Sequence, residues 1–585
     1  MEKNTLLAVV LSVIVITVGF MVQNTLYPPE PIPQAPVAQE PAQAPAQEPA
    51  TAPATGPVTG PVAPADQRLA GNAIVPVPDS TIPTNTVVYS NGVLRATFDP
   101  AGARLISLQL LEHVDGTEPV EMIRRGDTGR GALELHFGDF DAPAVDALFR
   151  QVPTDNPNEI RFSRSFFVNG AEDQPFDVIR TFRFEQGEFI IEHTIELVNS
   201  VNQALPLNFA GTAYTISFGP QIGPSYAELD GRNEFRTFHY FDGSRRRNVR
   251  MRTEDRNTLE ERVNWAALTG KYFSVIAVPG AVDYLWTFSN ETPRGIEDGA
   301  AFSLSRPVIR GASTRDVVRF YVGPKVTRTL NRYDRAADNA FGLRNLELAQ
   351  IEERRALFGW LENILKWGME QIYIFVPNYG ITIIILTILV KILLHPLTKK
   401  SFESTSKMQV LNPKIQELRE KYKDDPTKMN QAMGELYKKE GVNPLGGCLP
   451  MLLQFPFFIA MFGVFNNHFD LRGAIFIPGW INDLSAPESI WNFGDFVLPL
   501  LGWNDLRLLP ILFVGSQILS SMLMQNPAAG GSNSQMKMMQ YGMPIMFFFI
   551  LYNMPSGLLV YWIFSNLLTV GTQFFATQKR KHESS

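Results

Sequence analysis

Beyond residue 378 the chain is a succession of apolar runs separated by short polar connections. Each approaches the ~20 residues that a helix needs to cross a bilayer core. The runs occupy 379–397, 445–465, 506–524, 538–552 and 557–575, the one at 538–552 being short. A backbone in hydrocarbon must satisfy its own N–H and C=O groups, so such runs leave a helical bundle as the plausible solution. The stretch 493–503 is too short and too interrupted to add another span. Residues 5–22 form one more uncharged run, behind Lys3. It is long for the core of a cleaved signal peptide, and no small-x-small site follows it directly. It therefore reads as an uncleaved signal anchor over residues 1–27.

Lysine and arginine set the orientation. Residues 398–443 hold ten of them, from Lys399 to Lys439, and the tail at 578–585 holds Lys579, Arg580 and Lys581. The connection 466–505 holds only Arg472. Six spans then place both termini and the basic segment in the cytoplasm, and the long segment after the anchor in the periplasm. The net charge of -6 carries no overall basic signature, so nucleic acid is not an expected partner. The one cysteine, Cys448, excludes an intramolecular disulfide.

Residues 28–71 are dominated by Pro, Ala, Gln and Glu and form an extended spacer that cannot bury a core. From 72 to 340 the pattern is β-rich. VLRATFDPAGARLISLQLLEH alternates apolar and polar residues around a Pro-Ala-Gly turn, and FDVIRTFRFEQGEFIIEHTIELVNS does so around Gln-Gly. Many strands with short turns predict an all-β sandwich. No catalytic constellation is visible, since His113, His136, His193 and His239 are scattered. Arg245, Arg246, Arg247, Arg250 and Arg252 form either a solvated basic loop or a contact with lipid headgroups. Between 341 and 377 the pattern turns helical from Leu346, with Leu357, Leu361, Ile364, Leu365 and Gly368 on one face and Trp360 and Trp367 flanking it. Two readings are open: a helix lying in the membrane interface, or one packed under the β domain.

Lys391 sits inside the run 379–397, where a charge costs ~3 kcal/mol or more on insertion. It either snorkels toward the cytoplasmic headgroups or serves a wet cavity. Other intramembrane polar residues favour the cavity: Thr387 one turn away, Gln454, then Ser516, Gln517, Ser520 and Ser521, and Asn566, Thr569 and Gln573 on one face. The spans contain no acidic residue, so an anion facing Lys391 would belong to a ligand or substrate. Methionines crowd 522–546, a composition that suits either core filling or a permissive apolar surface. In the basic segment, Met408, Leu411, Ile415, Leu418 and Tyr422 give one apolar seam, and Met429, Met433 and Leu436 a second. Asp424, Asp425 and Pro426 make the turn between them, so 398–443 reads as a helical hairpin with a small mutual core that docks loosely as a lid.

The segments KILLHPLTKKSFESTSKMQVLNPKIQELREKYKDD, ELYKKEGVNPLGGCLPMLLQFPFFIAMF and MPSGLLVYWIFSNLLT resemble the YidC membrane insertase family over residues 358–577. The anchor and large domain resemble its Gram-negative branch, through stretches such as WAALTGKYFSVIAVP and FYVGP. The resemblance implies a multi-domain membrane protein. A five-helix core at 378–577 would join the anchor and a periplasmic β-supersandwich similar in shape to sugar mutarotases. It implies a hydrophilic groove open to cytoplasm and lipid, with Lys391, Thr387, Gln454, Tyr561, Trp562 and Thr569 at or near it, and the intramembrane polar residues Gln517 and Asn566 join this set on their own position in the spans. The family's groove charge is typically arginine, and lysine here keeps the charge without the bidentate fork. The implied partners are nascent inner-membrane proteins, the Sec translocon with its accessory subunits, the translating ribosome, the signal recognition particle receptor and lipids. No catalysis, cofactor or metal is expected. A secondary transporter would need paired repeats, which the spans lack, and a membrane-anchored glycan enzyme would rest on fold analogy alone.

Overall fold

A computed structural model describes residues 73–585 except 116, 124–130, 220–235, 250, 252–255, 290–300, 353–357, 423–424, 442–448, 495, 499–500, 524–540 and 585. The expected anchor and spacer lie outside the described residues.

The alternating segments fold as antiparallel strands in three main sheets of ten, five and four strands. The ten-stranded sheet is built on Ala171–Phe184, Ile190–Asn199, Ser313–Pro324 and Phe273–Pro279, paired in that order. The five-stranded sheet centres on Ala301–Pro307 between Leu285–Ser289 and Thr212–Phe218. The four-stranded sheet runs from Val87–Ser90 through Leu94–Asp99 and Arg104–Asp115 to Glu118–Glu121. Period-2 patterning sends one set of side chains inward. In FDVIRTFRF these are Phe176, Val178, Arg180, Phe182 and Phe184, all buried.

The inclusion of Arg180 in that set organises the interior. Its guanidinium donates to the carbonyls of Gly102 and Leu133, both at 2.5 Å, and to His193 Nε2 at 3.2 Å. His193 stacks on Phe182 with ring centroids 4.4 Å apart. Burial pushes the Arg180 guanidinium down to about 9, and burial beside that cation pushes His193 well below its ordinary value, so its ring is neutral and accepts through Nε2. Gly102 closes the predicted Pro-Ala-Gly turn at φ +70°, where a Cβ would strike the Val145 carbonyl.

The basic loop is partly internal. Arg247 pairs with Asp242 at 2.8 Å, and Arg246 donates to the Ile351 carbonyl at 3.1 Å. Arg250 and Arg252 fall outside the described residues.

The helical reading from Leu346 is corrected: helix α1 is Gly359–Phe375. Leu348 and Ile351, three apart, have the right spacing for a helix face, but they lie in a 3-10 turn buried in the β-domain core. Burial there outweighs the periodicity. Within α1, Leu361, Leu365 and Met369 face inward, whereas Ile364, Trp360 and Trp367 are exposed.

Among the described residues, the helices that follow α1 are α2 (Tyr379–Lys421), α3 (Pro426–Glu440), α4 (Leu449–Asn467), α5 (Leu509–Leu523), α6 (Met543–Leu551) and α7 (Ser556–Ser584). The Asn378 carboxamide caps α2 by accepting from Ile381 N at 3.1 Å. α2 runs on through Pro396 and Pro413 for 43 residues, about 65 Å, roughly twice a bilayer core. Its second half pairs with α3, capped by Asp425 and ended by Gly441 at φ +61°. Among the described side chains of that hairpin, Leu411 and Ile415 are buried, against Met433, Leu436 and Tyr437.

Among the described residues one helix, Tyr379–Pro396, has the length and composition to cross a membrane, and Gln454–Asn466 and Leu509–Met522 are shorter apolar helices. The helix α6 has nine residues. α7 is long enough, but polar residues spaced along it dilute its apolar character. Exposed Leu389, Ile392, Leu393, Ile511, Ile545 and Phe549 give the bundle an apolar outer surface.

The two domains meet at the turn after α4. Phe469 packs edge-on to Phe273 and His113, with centroids 5.6 and 5.0 Å apart. Arg472 donates to the Val114 carbonyl at 2.6 Å and lies over the Phe273 ring.

Candidate substrate groove

α2, α4, α5 and α7 carry their polar residues at one level. Lys391 Nζ donates to Thr569 Oγ1 at 3.0 Å, joining α2 to α7. Thr569 in turn donates to the Ser565 carbonyl at 2.8 Å. Gln454 Nε2 reaches Ser565 Oγ at 3.5 Å from α4. One step round α7, Asn566 Nδ2 donates to Ser516 Oγ at 3.1 Å and Gln517 Oε1 at 2.9 Å on α5. Among the described residues no carboxylate forms an ion pair with Lys391. The layer therefore presents a cation and neutral dipoles without a fixed anion.

The layer is closed on one side. One turn earlier on α7, Tyr561 packs against Phe465, and Trp562 stacks on Phe458 at 4.6 Å and lies 5.1 Å from Phe513. Ile383, Met461, Val464, Leu558 and Leu559 fill the bundle toward Ser556. That end is filled with apolar side chains, and the polar side chains begin where the filling stops. Each of the three helices α2, α4 and α7 passes from an apolar half to a polar position within a few turns. Among the described residues the layer offers an ammonium, amides and hydroxyls as hydrogen-bonding groups, and no hydrogen-bonded nucleophile–base pair lies in it.

Three expected positions lie beside this layer. The Thr387 hydroxyl is buried and donates back to the Ile383 carbonyl at 2.6 Å. Tyr561 is core, and Trp562 belongs to the aromatic seal. Ser565, absent from the expected set, links Gln454 to Thr569. Its signal was the spacing of four to Thr569 on the polar face of α7. In the hairpin, Leu411 and Ile415 are buried and Leu418 is half-buried. Asp424 and the side chains of Met408 and Pro426 lie outside the described residues.

Fold and layer together define a membrane protein with a layer of polar side chains in its helical bundle and an all-β domain packed against the turn after α4. Residues 86–365 match the family model described as the YidC periplasmic domain, and residues 371–583 that of the 60Kd inner membrane protein. A membrane protein insertase YidC of Treponema denticola is 38% identical, over 99% of this chain and all of that protein. The protein of the same name from Treponema pallidum is 33% identical over 98% of both. The chain thus belongs to the YidC family of inner-membrane insertases, which carry a periplasmic domain and are not enzymes. Among solved structures, a YidC insertase crystal structure covers 86% of this chain at 16% identity and a TM-score of 0.37. A galactose mutarotase-like protein from Lactobacillus casei covers 41% at 12% identity and a TM-score of 0.30.

Proposed function

We propose that this chain inserts nascent inner-membrane proteins and helps them fold by receiving their polar segments in the recess around Lys391. The observation that carries this reading is the polar layer, in which a cation hydrogen-bonds a neutral hydroxyl and, among the described residues, has no carboxylate as an ion-pair partner. An acidic or hydrated segment entering from the open side shortens its path across hydrocarbon, while its apolar flank moves into lipid beside the helices. Lys391, Gln454, Gln517, Asn566 and Thr569 contact the substrate, Thr387, Tyr561 and Trp562 shape the recess, and the hairpin of α2 and α3 covers its mouth. Cooperation with the Sec translocon, the ribosome and the signal recognition particle receptor belongs to the same reading.

Photocrosslinkers at Gln454 and at Leu418 test it in cells. Both should trap an arrested inner-membrane client, and Sec subunits should appear among the adducts. Capture of neither client would remove the recess from the insertion path. Capture at Gln454 alone would remove the hairpin from it.

The charge asymmetry gives an orientation, with the basic hairpin and the tail in the cytoplasm and the β domain in the periplasm. In a Cys448→Ser background, cysteines at the exposed positions Ser80 and Asn482 should react with an impermeant thiol reagent added outside, and a cysteine at Lys428 should not. Ser556 is unsuitable as a labelling site because it is fully buried and donates to the Ala486 carbonyl. External labelling at Lys428 would invert the topology.

A further inference from the structure

The turn that joins the two domains also gathers three metal-ligating side chains that the groove does not use. Glu370 comes from α1, His468 from the residue after α4, and Asp470 from the 3-10 turn Phe469–Leu471. One donor atom from each lies within 4.8 Å of the others. His468 Nε2 stands 3.9 Å from Asp470 Oδ2.

His468 makes this more than an acidic cluster. It is 3% exposed, and neither ring nitrogen has a hydrogen-bond partner. A buried polar atom left unsatisfied is costly, because it loses its hydrogen bonds to water and gains none, and here two stand on one ring. Coordination by Nε2 removes one of those penalties. The Tyr379 hydroxyl donates to Asp470 Oδ2 at 3.1 Å, the kind of outer bond that orients a ligating carboxylate. The Tyr379 ring also meets the His468 ring edge-on at 6.0 Å, which fixes the imidazole plane.

We propose that Glu370, His468 and Asp470 bind a divalent transition-metal ion, with Zn²⁺ the best fit, and that this ion staples α1 to the end of α4. One imidazole with two carboxylates and a water is a normal donor set for zinc, whereas calcium and magnesium favour oxygen-only shells. Bond lengths of ~2.1 Å in a tetrahedral shell separate donors by about 3.4 Å, so the existing group needs only a small contraction. The Glu370 side chain has the rotamer freedom to supply it. Lys366, one turn back on α1, is the cation on the same helix that opposes binding. The two carboxylates outnumber it. Because Asp470 sits between Phe469 and Arg472, the ion also stiffens the knuckle on which the β domain rests. Sequence spacing hides this site, since Glu370 and His468 stand almost a hundred positions apart and share no motif.

The full chain, purified in detergent and stripped with EDTA, should bind one equivalent of Zn²⁺ in calorimetric titration and melt at a higher temperature with the ion than without. His468→Asn, Asp470→Asn and Glu370→Gln should each lose most of this affinity. Tyr379→Phe should weaken it by roughly tenfold, as loss of an outer bond does. His395→Gln, on the exposed face of α2, should leave it unchanged. Two results would overturn the site: no saturable binding by the folded wild-type chain, or binding and thermal shift that persist in the His468 and Asp470 variants.

Discussion

Lys391→Glu should stop the insertion of clients whose translocated segments are acidic, while Lys391→Arg keeps it. Two unit charges 4 Å apart attract by about 1 kcal/mol even at the dielectric constant of water. Reversing one charge turns that attraction into an equal repulsion, a swing of about 2 kcal/mol or roughly thirtyfold in occupancy. On the proposed reading the recess is walled by apolar helices and closed at one end, so a water-like dielectric is the weakest case. Lys391→Met removes the attraction without adding repulsion and should fall between, with a loss of roughly fivefold. Its Thr569 partner remains satisfied, because that hydroxyl also donates to the Ser565 carbonyl. Clients with neutral translocated segments should be much less affected. The measurement is the protease-protected fraction of paired acidic and neutral clients in vesicles carrying each variant. Equal insertion of the acidic client by wild type and Lys391→Glu would reduce Lys391 to a residue that snorkels toward the headgroups.

Arg180→Met should destabilise the β domain by about 3 kcal/mol or more while leaving insertion by the membrane core intact. The guanidinium has no solvent exposure and satisfies two carbonyls and an imidazole nitrogen. Methionine fills similar volume but donates nothing, so three buried acceptors lose their partner. Removing one side of a buried charged network typically costs 3–5 kcal/mol. Glu134, also buried, loses a nearby cation and retains Arg104 at 3.9 Å. In a domain of this size, 3 kcal/mol corresponds to about 6–12 °C in melting temperature. Thermal melts read by limited proteolysis of the intact chain would follow the β domain, with client insertion measured on the same preparation. A loss below about 1 kcal/mol would contradict the role assigned to Arg180. A well-expressed variant with a melted β domain and no insertion would contradict the division of labour between the domains.

That division bears on Phe469 and Arg472. They tie the β domain to the turn after α4, away from the polar layer. The contact explains how a separate domain is held in place without placing any of its residues in the recess.

The sequence alone determined the elements whose signals are local. Apolar length specified the helical runs, because a backbone in hydrocarbon has few alternatives. Alternation around Pro-Ala-Gly and Gln-Gly specified strands and turns, because successive side chains on a strand face opposite ways. Asp425 and Gly441 marked the ends of α3 through capping chemistry. Lys391, Gln454 and Asn566 stood out because polar groups are expensive in those runs. What tertiary structure decided was pairing. Thr569 is 178 positions from Lys391, and its selection over Thr387 as the partner depends on how α7 packs against α2. Leu348 and Ile351 carried a helical spacing, yet burial in the β core placed them in a 3-10 turn. Arg180 and His193 read as ordinary polar positions in alternating strands, and only the sheet's inner face showed that each needs the other. Glu370, His468 and Asp470 meet because α1 lies across the end of α4. Contacts between distant segments follow from how preformed faces fit together, and a one-dimensional pattern specifies the faces without their partners.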